Sequence, residues 1–99
     1  MFKGNKYITK GVQANIPLYL QALLWYMVEA MEVNEKDYLQ IFELNESAEN
    51  GKVIQHIIHR QESPVYKEEH FISAKKAIND KVYIIDDGDL CTMLLSEEY

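Results

Sequence analysis

The longest apolar stretch of the chain, IPLYLQALLWYMVEAM at residues 16–31, has helical spacing. Apolar side chains recur there at intervals of three and four, which predicts one long amphipathic helix. Pro17 suits the first helical position, and it disfavours the α conformation at the preceding residue, so Ile16 is the expected cap. We expect Trp25 in the interface between helix and sheet because it adjoins the Leu23-Leu24 pair. The predicted buried face consists of Ile16, Leu20, Leu23, Leu24, Met27, Val28 and Met31, and Gln21 and Glu29 mark the solvent side.

The first half of the chain also contains three segments typical of strands. Residues 6–12 and 37–45 combine apolar, branched and aromatic side chains, and Lys52–Gln61 continues the pattern. Residues 46–51 form a polar connection that ends in Asn50-Gly51, a pair suited to the positive φ angles of a tight hairpin turn. That turn predicts a register in which Leu44 faces Ile57, Phe42 faces His59 and Ile41 faces Arg60.

The second half of the chain predicts an edge strand and another hairpin. The charges in residues 66–72, YKEEHFI, favour the edge of a sheet, and Ser73 is placed to cap a short helical turn. Residues 81–86 and 89–96 flank Asp87-Gly88, which predicts a second tight turn. The expected pairs are Asp86 with Asp89, Ile85 with Leu90, Ile84 with Cys91, Tyr83 with Thr92 and Val82 with Met93.

These segments together predict an α+β fold, in which one long amphipathic helix packs on an antiparallel sheet of about five or six strands. The last hairpin is apolar on both faces, and one helix covers only one of them. We therefore expect a homodimer whose contact surface includes Tyr83, Ile85, Leu90 or Leu94.

Composition narrows the class of protein. Ninety-nine residues suffice for a single domain spanning residues 1–99, and the net charge of −6 disfavours nucleic acid and anionic membranes as partners. Cys91 is the single cysteine, and the N-terminal residues have no apolar run of the kind that a secretion signal needs. The predicted helix is too short and too polar to cross a bilayer. The simplest expectation is a cytoplasmic protein.

Four segments, YITKGVQANIP, DYLQIFEL, HRQESPVYK and IDDGDLCTMLLSEEY, resemble a family of small Gram-positive bacterial proteins called domain of unknown function 960. The similarity extends through nearly the whole chain. The resemblance implies a bacterial cytosolic protein with one compact domain, and it implies no activity and no residue roles.

Candidate metal and cofactor sites are weak. His56 and His59 are three positions apart on a predicted strand, so their side chains point to opposite faces and cannot bind one ion together. Asp86, Asp87 and Asp89 surround a glycine, as tight turns favour, and the run is too short for a calcium loop. Cys91 has the apolar surroundings of an inert buried thiol. We predict no metal, no cofactor and no catalytic residue.

One cluster of cationic and aromatic residues stands out in this acidic chain. His59, Arg60, Tyr66 and Lys67 flank Pro64, and we predict that they bind a partner protein. The alternative for this cluster is a set of solvated strand ends paired with Glu62, Glu68 and Glu69. The leading hypothesis is a small cytosolic protein-interaction or accessory module without catalysis. One alternative is an acidic mimic of nucleic acid that inhibits a nucleic-acid-binding protein; the other is a small enzyme using His59, Arg60 and Asp86.

Overall fold

The computed structural model describes all residues from 1 to 99, and it has an α+β fold with one mixed six-stranded sheet. The helices are α1 (Lys10–Asn15) and α2 (Leu18–Glu29), and a 3-10 turn follows at Ser96–Glu98. The strands are β1 (Asn5–Ile8), β2 (Leu39–Glu49), β3 (Lys52–Gln61), β4 (Tyr66–Ser73), β5 (Asp80–Asp86) and β6 (Leu90–Leu95). None of the helices is long and apolar enough to span a membrane.

The strand order across the sheet is β1-β6-β5-β2-β3-β4. All neighbours are antiparallel except β1 and β6, which run parallel, so the prediction of a purely antiparallel sheet is wrong in this respect. The parallel pair arises because β1 adds to the last strand of the chain. Such long-range pairing depends on the tertiary fold, and periodicity within each strand does not reveal it.

The segment predicted as the first strand divides into two elements. The strand ends at Ile8, and Thr9 caps α1 by accepting a hydrogen bond from the Val12 amide at 3.3 Å. Val12 is therefore a fully buried helical residue, four positions before the buried Ile16. Ile16 has the extended conformation expected of a residue before proline, and it ends α1.

Helix α2 is shorter than predicted, and it is not amphipathic in the predicted way. It has twelve residues and begins at Leu18, because Pro17 is its N-cap rather than its first helical residue. Gln21 is buried and donates a hydrogen bond to the Ile16 carbonyl at 2.7 Å. That carbonyl needs a side-chain donor because the Leu20 and Gln21 amides both bond to Pro17 instead.

One face of the sheet packs against the helices and forms the core. The inward side chains of β2, β3, β5 and β6 include Phe42, Leu44, Ile57, Val82, Ile84, Cys91 and Met93, which are buried together with Leu20, Leu24 and Val28 of α2. Leu23 and Trp25 are only partly buried at the border of this core. Trp25 therefore lies at the edge of the helix–sheet interface, where the Lys6 ammonium is 5.7 Å from its ring centroid.

The β2–β3 hairpin has the predicted register. Leu44 pairs with Ile57, Phe42 with His59 and Ile41 with Arg60. Asn50 and Gly51 both have positive φ, as the predicted turn requires, although the strands extend up to the turn and leave no separate connection at residues 46–49.

The β5–β6 hairpin has a different register from the predicted one. Asp86 pairs with Cys91, Ile84 with Met93 and Val82 with Leu95. The turn lies one position later than expected because Gly88 takes a positive φ of +102° while Asp87 does not, and a turn centred on Asp87-Gly88 would need positive φ at both. The Asp86 and Asp87 carboxylates hold this turn by accepting hydrogen bonds from the Gly88 and Leu90 amides.

Residues 74–79 form a loop rather than the helical turn expected after Ser73. The Gln55 side chain accepts a hydrogen bond from the Ile78 amide at 2.7 Å and donates one to the Ile78 carbonyl at 3.0 Å. Both backbone groups of Ile78 are thus used by a side chain of β3, and an additional helical turn would need to break these bonds. Strand β4 lies at the edge of the sheet, as predicted.

Candidate interaction surface

The face of the sheet opposite α1 and α2, here called the open face, is covered in part by Tyr99 at the end of the chain, which packs on Tyr83. Because side chains alternate along a strand, the residues directly before and after each core residue in a strand point to this face. The centre of the open face is apolar and consists of Leu39, Ile41, Ile58, Tyr83, Ile85 and Leu94. Ile41 pairs with both Arg60 and Tyr83, and Tyr83 pairs with Leu94. A continuous row of side chains therefore crosses four strands.

Charged side chains of both signs surround this apolar centre. Arg60 Nε donates to Glu43 Oε2 at 2.9 Å, and Lys67 Nζ lies 3.5 Å from Glu69 Oε1. The Lys81 ammonium is 5.9 Å from the Tyr83 ring centroid. By the strand register, the charged residues of this face are Glu43, Glu49, Lys52, Arg60, Lys67, Glu69 and Lys81. The open face therefore carries none of the excess negative charge that gives the chain its net −6.

The four predicted partner-binding residues are divided between the two faces of the sheet. Arg60 and Lys67 are register partners on the open face, whereas His59 and Tyr66 point to the helix side. The His59 and Tyr66 rings meet edge to face at 5.3 Å, and His59 has no exposed surface. Burial, together with hydrogen bonding to Glu68, raises the pKa of Tyr66 to about 12. The structure thus brings these residues together in two pairs and not as one surface.

The buried position of His59 depends on a glutamine whose orientation is determined by the backbone. The Gln61 amide nitrogen donates to the carbonyls of Glu35 and Pro64, at 3.1 Å and 2.8 Å. Its oxygen accepts from the Asp37 amide at 2.8 Å. Carbonyls only accept and amides only donate, so this side chain has one possible orientation.

That orientation determines the tautomer of His59. Gln40 Nε2 donates to Gln61 Oε1 and to the Asp37 carbonyl, so Gln40 Oε1 faces His59 Nε2 at 2.7 Å and must accept a hydrogen bond from it. His59 Nδ1 is consequently an unprotonated acceptor, and it has no hydrogen-bond partner. Burial lowers the pKa of His59 to about 4, while Glu68 opposes the shift. His59 is therefore a neutral residue of the interior.

The residues predicted for self-association all belong to the open face. Leu94 is nearly buried by its neighbours, and Tyr83, Ile85 and Leu90 are half-buried. Tyr99 meets the Tyr83 ring edge to face at 5.5 Å. Part of the apolar centre is thus shielded by Tyr99, which itself remains exposed.

The residues of the enzyme hypothesis do not meet at one site. His59 is buried on the helix side, and Arg60 points away from it on the open face. Asp86 lies near the far end of β5 and accepts hydrogen bonds from the Phe2 and Gly88 amides at 2.9 Å, which hold the pKa of its carboxyl below the usual value. His59, Arg60 and Asp86 therefore cannot act together on a substrate.

Metal-binding residue types are also dispersed. His56 and His59 point to opposite faces, as their spacing predicts, and His56 stacks on Phe71 of the open face at 4.4 Å. No group of three or more His, Cys, Asp or Glu side chains is arranged to hold a metal ion. Cys91 is buried, and its burial raises the pKa of the thiol.

Sequence reasoning missed two groups of residues. The first consists of Gln40, Gln55 and Gln61, which are buried on the helix side of the sheet. Their positions alternate in phase with the apolar residues of β2 and β3, and this is the signal that identifies them as inward-facing. The second is the outer side of α2 together with the loop that carries Lys75 and Lys76, where an all-apolar helix surface and adjacent lysines are the available signals.

Comparisons with known proteins agree with the family expected from the sequence. The family model described as staphylococcal protein of unknown function (DUF960) matches residues 5–98. A crystal structure of a protein of unknown function from Enterococcus faecalis has a similar fold, with a TM-score of 0.75 and 26% sequence identity. That similarity covers 97% of this chain and 91% of the enterococcal chain. No curated protein matches the chain. The chain belongs to the DUF960 family of bacterial proteins of unknown function.

Proposed function

We propose that this protein is a small cytoplasmic protein-interaction module that acts by binding and not by catalysis. The observation that supports this function is the open face of the six-stranded sheet, which has the helices on its other side. In its apolar centre Ile41 and Leu94 are buried by their neighbours, while Leu39, Ile58, Tyr83 and Ile85 stay partly exposed. Contiguous apolar surface of this kind is costly to expose to water unless a partner covers it. A binding role explains why the fold presents it.

The partner proposed for the open face is a second copy of the chain. The molecule measures 43 × 30 × 20 Å, and its two long dimensions bound a face that can supply the roughly 800 Å² which each partner contributes to a standard interface. Two copies meeting through this face would leave the excess negative charge of each chain outside the contact, because the open face carries none of it, and this limits repulsion between chains of net charge −6. Mixed cations and carboxylates around an apolar centre are typical of an interface rim.

The open face offers less support to the two alternative functions. A mimic of nucleic acid needs a row of carboxylates, and here Glu43 and Glu69 are paired with Arg60 and Lys67. An enzyme using His59, Arg60 and Asp86 needs these side chains to converge, and they lie on different faces or at different ends of the sheet.

The proposal is tested by light scattering coupled to size exclusion at tens of micromolar protein. We expect the parent to have the mass of a dimer. Ile85→Lys, which puts a charge in the centre of the open face, should have the mass of a monomer. Val65→Lys is the matched control, because Val65 is an 88% exposed apolar residue in the β3–β4 turn, away from this face.

Circular dichroism would establish that both variants retain the parent's fold. A parent that is monomeric at tens of micromolar would overturn self-association through the open face. A dimer that persists unchanged in folded Ile85→Lys would show that the copies meet elsewhere.

A further inference from the structure

The outer side of α2 is apolar, in contrast to the usual surface helix. Besides its aromatic residues, α2 contains only two polar side chains, Gln21 and Glu29. Glu29 lies at the end of the helix, and Gln21 points inward. The solvent side instead presents Leu18, Tyr19, Ala22 and Tyr26. The exposed fractions of Leu18, Tyr19 and Tyr26 are 79%, 50% and 63%. A helix that is apolar on all sides normally has another surface against it.

A groove lies beside the start of this helix. It has a volume of about 390 Å³ and runs between Pro17 and Tyr19 on one side and residues 73–78 on the other. Ile78 supplies a second apolar wall, and Lys75 and Lys76 line the same groove. A neighbouring depression of about 440 Å³ shares Ser73, Ala74 and Lys75 and adds Val53 and Lys52. We call the two together the lysine groove.

The lysine groove is preformed, because hydrogen bonds within the chain fix the backbone of its loop. Gln55, which has no exposed surface, uses its amide to bond both the amide and the carbonyl of Ile78. The Ala74 amide also donates to the Val53 carbonyl at 3.3 Å. These bonds hold the 74–78 segment in place, so a ligand would not need to order it, and preorganisation of this kind favours affinity.

The charges of the lysine groove set it apart from the rest of the molecule. Lys52, Lys75 and Lys76 are exposed, and none of them forms an ion pair within the chain. Seven of the ten basic residues form no ion pair, but in the lysine groove three of them come together and no carboxylate lines either depression. Cations that have no carboxylate of their own chain are available to carboxylates of another molecule.

We propose that the lysine groove binds an acidic segment of a partner protein, with one apolar or aromatic side chain of that segment seated between Tyr19 and Ile78. Carboxylates on either side of that residue would pair with Lys75, Lys76 and Lys52. A peptide is favoured over a nucleic acid because the walls of the groove are aliphatic and aromatic, no arginine lines it, and the overall charge of −6 repels a phosphate backbone. This inference rests on the proposed binding function but uses a different surface, which meets the open face only at its border, through Lys52 and Ser73.

The test is selection from a phage-displayed library of random peptides. The selected peptides are then synthesised, and fluorescence anisotropy measures their affinity for the protein. The selected peptides should be rich in Asp and Glu around an apolar residue. The double variant Lys75→Glu with Lys76→Glu should bind the selected peptides at least tenfold more weakly than the parent. Tyr19→Ala should also bind them more weakly. The control is Lys3→Glu with Lys10→Glu, which changes two other exposed, unpaired lysines and shifts the net charge by the same amount. It should bind within about twofold of the parent.

Several results would overturn the inference. These are failure to select any peptide, selection of peptides without acidic residues, equal weakening by the control variant, or tighter binding of a single-stranded DNA oligonucleotide than of the peptides. The oligomeric state separates this test from the previous one. If the protein is a dimer through the open face but binds no peptide, only the proposed peptide site is rejected. If it is a monomer that binds peptides through Lys75 and Lys76, only the proposed dimer is rejected.

Discussion

His59 Nε2 lies 2.7 Å from Gln40 Oε1, and this hydrogen bond holds a histidine in the interior as a neutral group. The sequence favoured a surface role for His59, because histidine beside arginine in a turn-flanking strand suggests a binding patch. In the structure, Phe42 stacks on the ring at 4.3 Å and two glutamines orient it. The pair determines how the stability of the protein responds to acid.

The first prediction is that acid destabilises the protein through His59. Its pKa is lowered from 6.5 to about 4 in the folded state, so the unfolded chain takes up a proton in this interval and the folded chain does not. The free energy of unfolding should be highest above pH 6.5 and should fall as the pH decreases toward 4. Between pH 7 and pH 5 the loss should be about 2 kcal/mol, measured by urea denaturation.

His59→Phe tests this assignment, because phenylalanine keeps the stacking on Phe42 and cannot titrate. The variant should be less stable overall, since Gln40 Oε1 loses its donor, but its stability should change little between pH 7 and pH 5. His70→Gln serves as control and should keep the parent's slope. Carboxyl groups affect the free energy of unfolding at a lower pH than His59 does. Glu69, Asp86 and Glu98 have pKa values below their usual 3.8 to 4.5, so the stability that they contribute is lost mainly below pH 5. A parental slope in His59→Phe would contradict the prediction.

The second prediction concerns Trp25, which the structure locates at the border of the core. Trp25→Ala should cost about 2 kcal/mol, less than the 3 to 5 kcal/mol typical of fully buried tryptophans, because part of the ring already faces water. Leu24→Ala provides the comparison, since Leu24 has no exposed surface. It should cost about 3 kcal/mol or more through the cavity left behind. Thermal and urea unfolding of both variants would measure the difference, and a larger cost for Trp25→Ala than for Leu24→Ala would contradict it.

The third prediction separates binding from folding at Arg60. Its side chain is 32% exposed and pairs with Glu43 on the open face, an arrangement worth roughly 0 to 1 kcal/mol to stability. Truncating an arginine in an interface commonly costs about 2 kcal/mol, which is some thirtyfold in affinity. A two-fold dimer loses this side chain from both copies. Arg60→Ala should therefore weaken the dimer by about 4 kcal/mol, which is roughly a thousandfold in its dissociation constant, while the melting temperature stays within a few degrees of the parent's.

Lys10→Ala is the control for Arg60→Ala, because Lys10 is exposed on α1 and has no ion pair. Sedimentation equilibrium would measure the dissociation constants of both variants. An unchanged dissociation constant in Arg60→Ala would remove this residue from the interface. A large fall in melting temperature would mean that its role is in the fold.

Local patterns predicted the elements whose geometry depends on sequence neighbours. The β2–β3 register follows from Asn50-Gly51, since a two-residue turn with positive φ leaves one way to pair the strands. The β5–β6 hairpin was predicted with the correct inward face but the wrong partners. Moving the turn by one position changes each pairing by two residues, and the side-chain alternation has a period of two. The apolar pattern is therefore the same in both registers. The observed register is the one in which the Asp86 and Asp87 carboxylates accept hydrogen bonds from the Gly88 and Leu90 amides.

Other features depended on contacts that no local window contains. β1 pairs with β6, and the Phe2 amide bonds to Asp86, which lies 84 positions away. The polarity of Gln40, Gln55 and Gln61 suggests solvent exposure, and each is buried because a backbone or side-chain partner at least 21 positions away satisfies its amide. The same reason explains the division of the predicted binding residues, with His59 inside and Arg60 outside. The sequence alone determined which segments are apolar on which face, because side-chain periodicity is a property of the local backbone. Only the tertiary structure decided which polar groups are buried and which apolar faces stay uncovered, because burial and hydrogen-bond satisfaction depend on what the rest of the chain brings to each position.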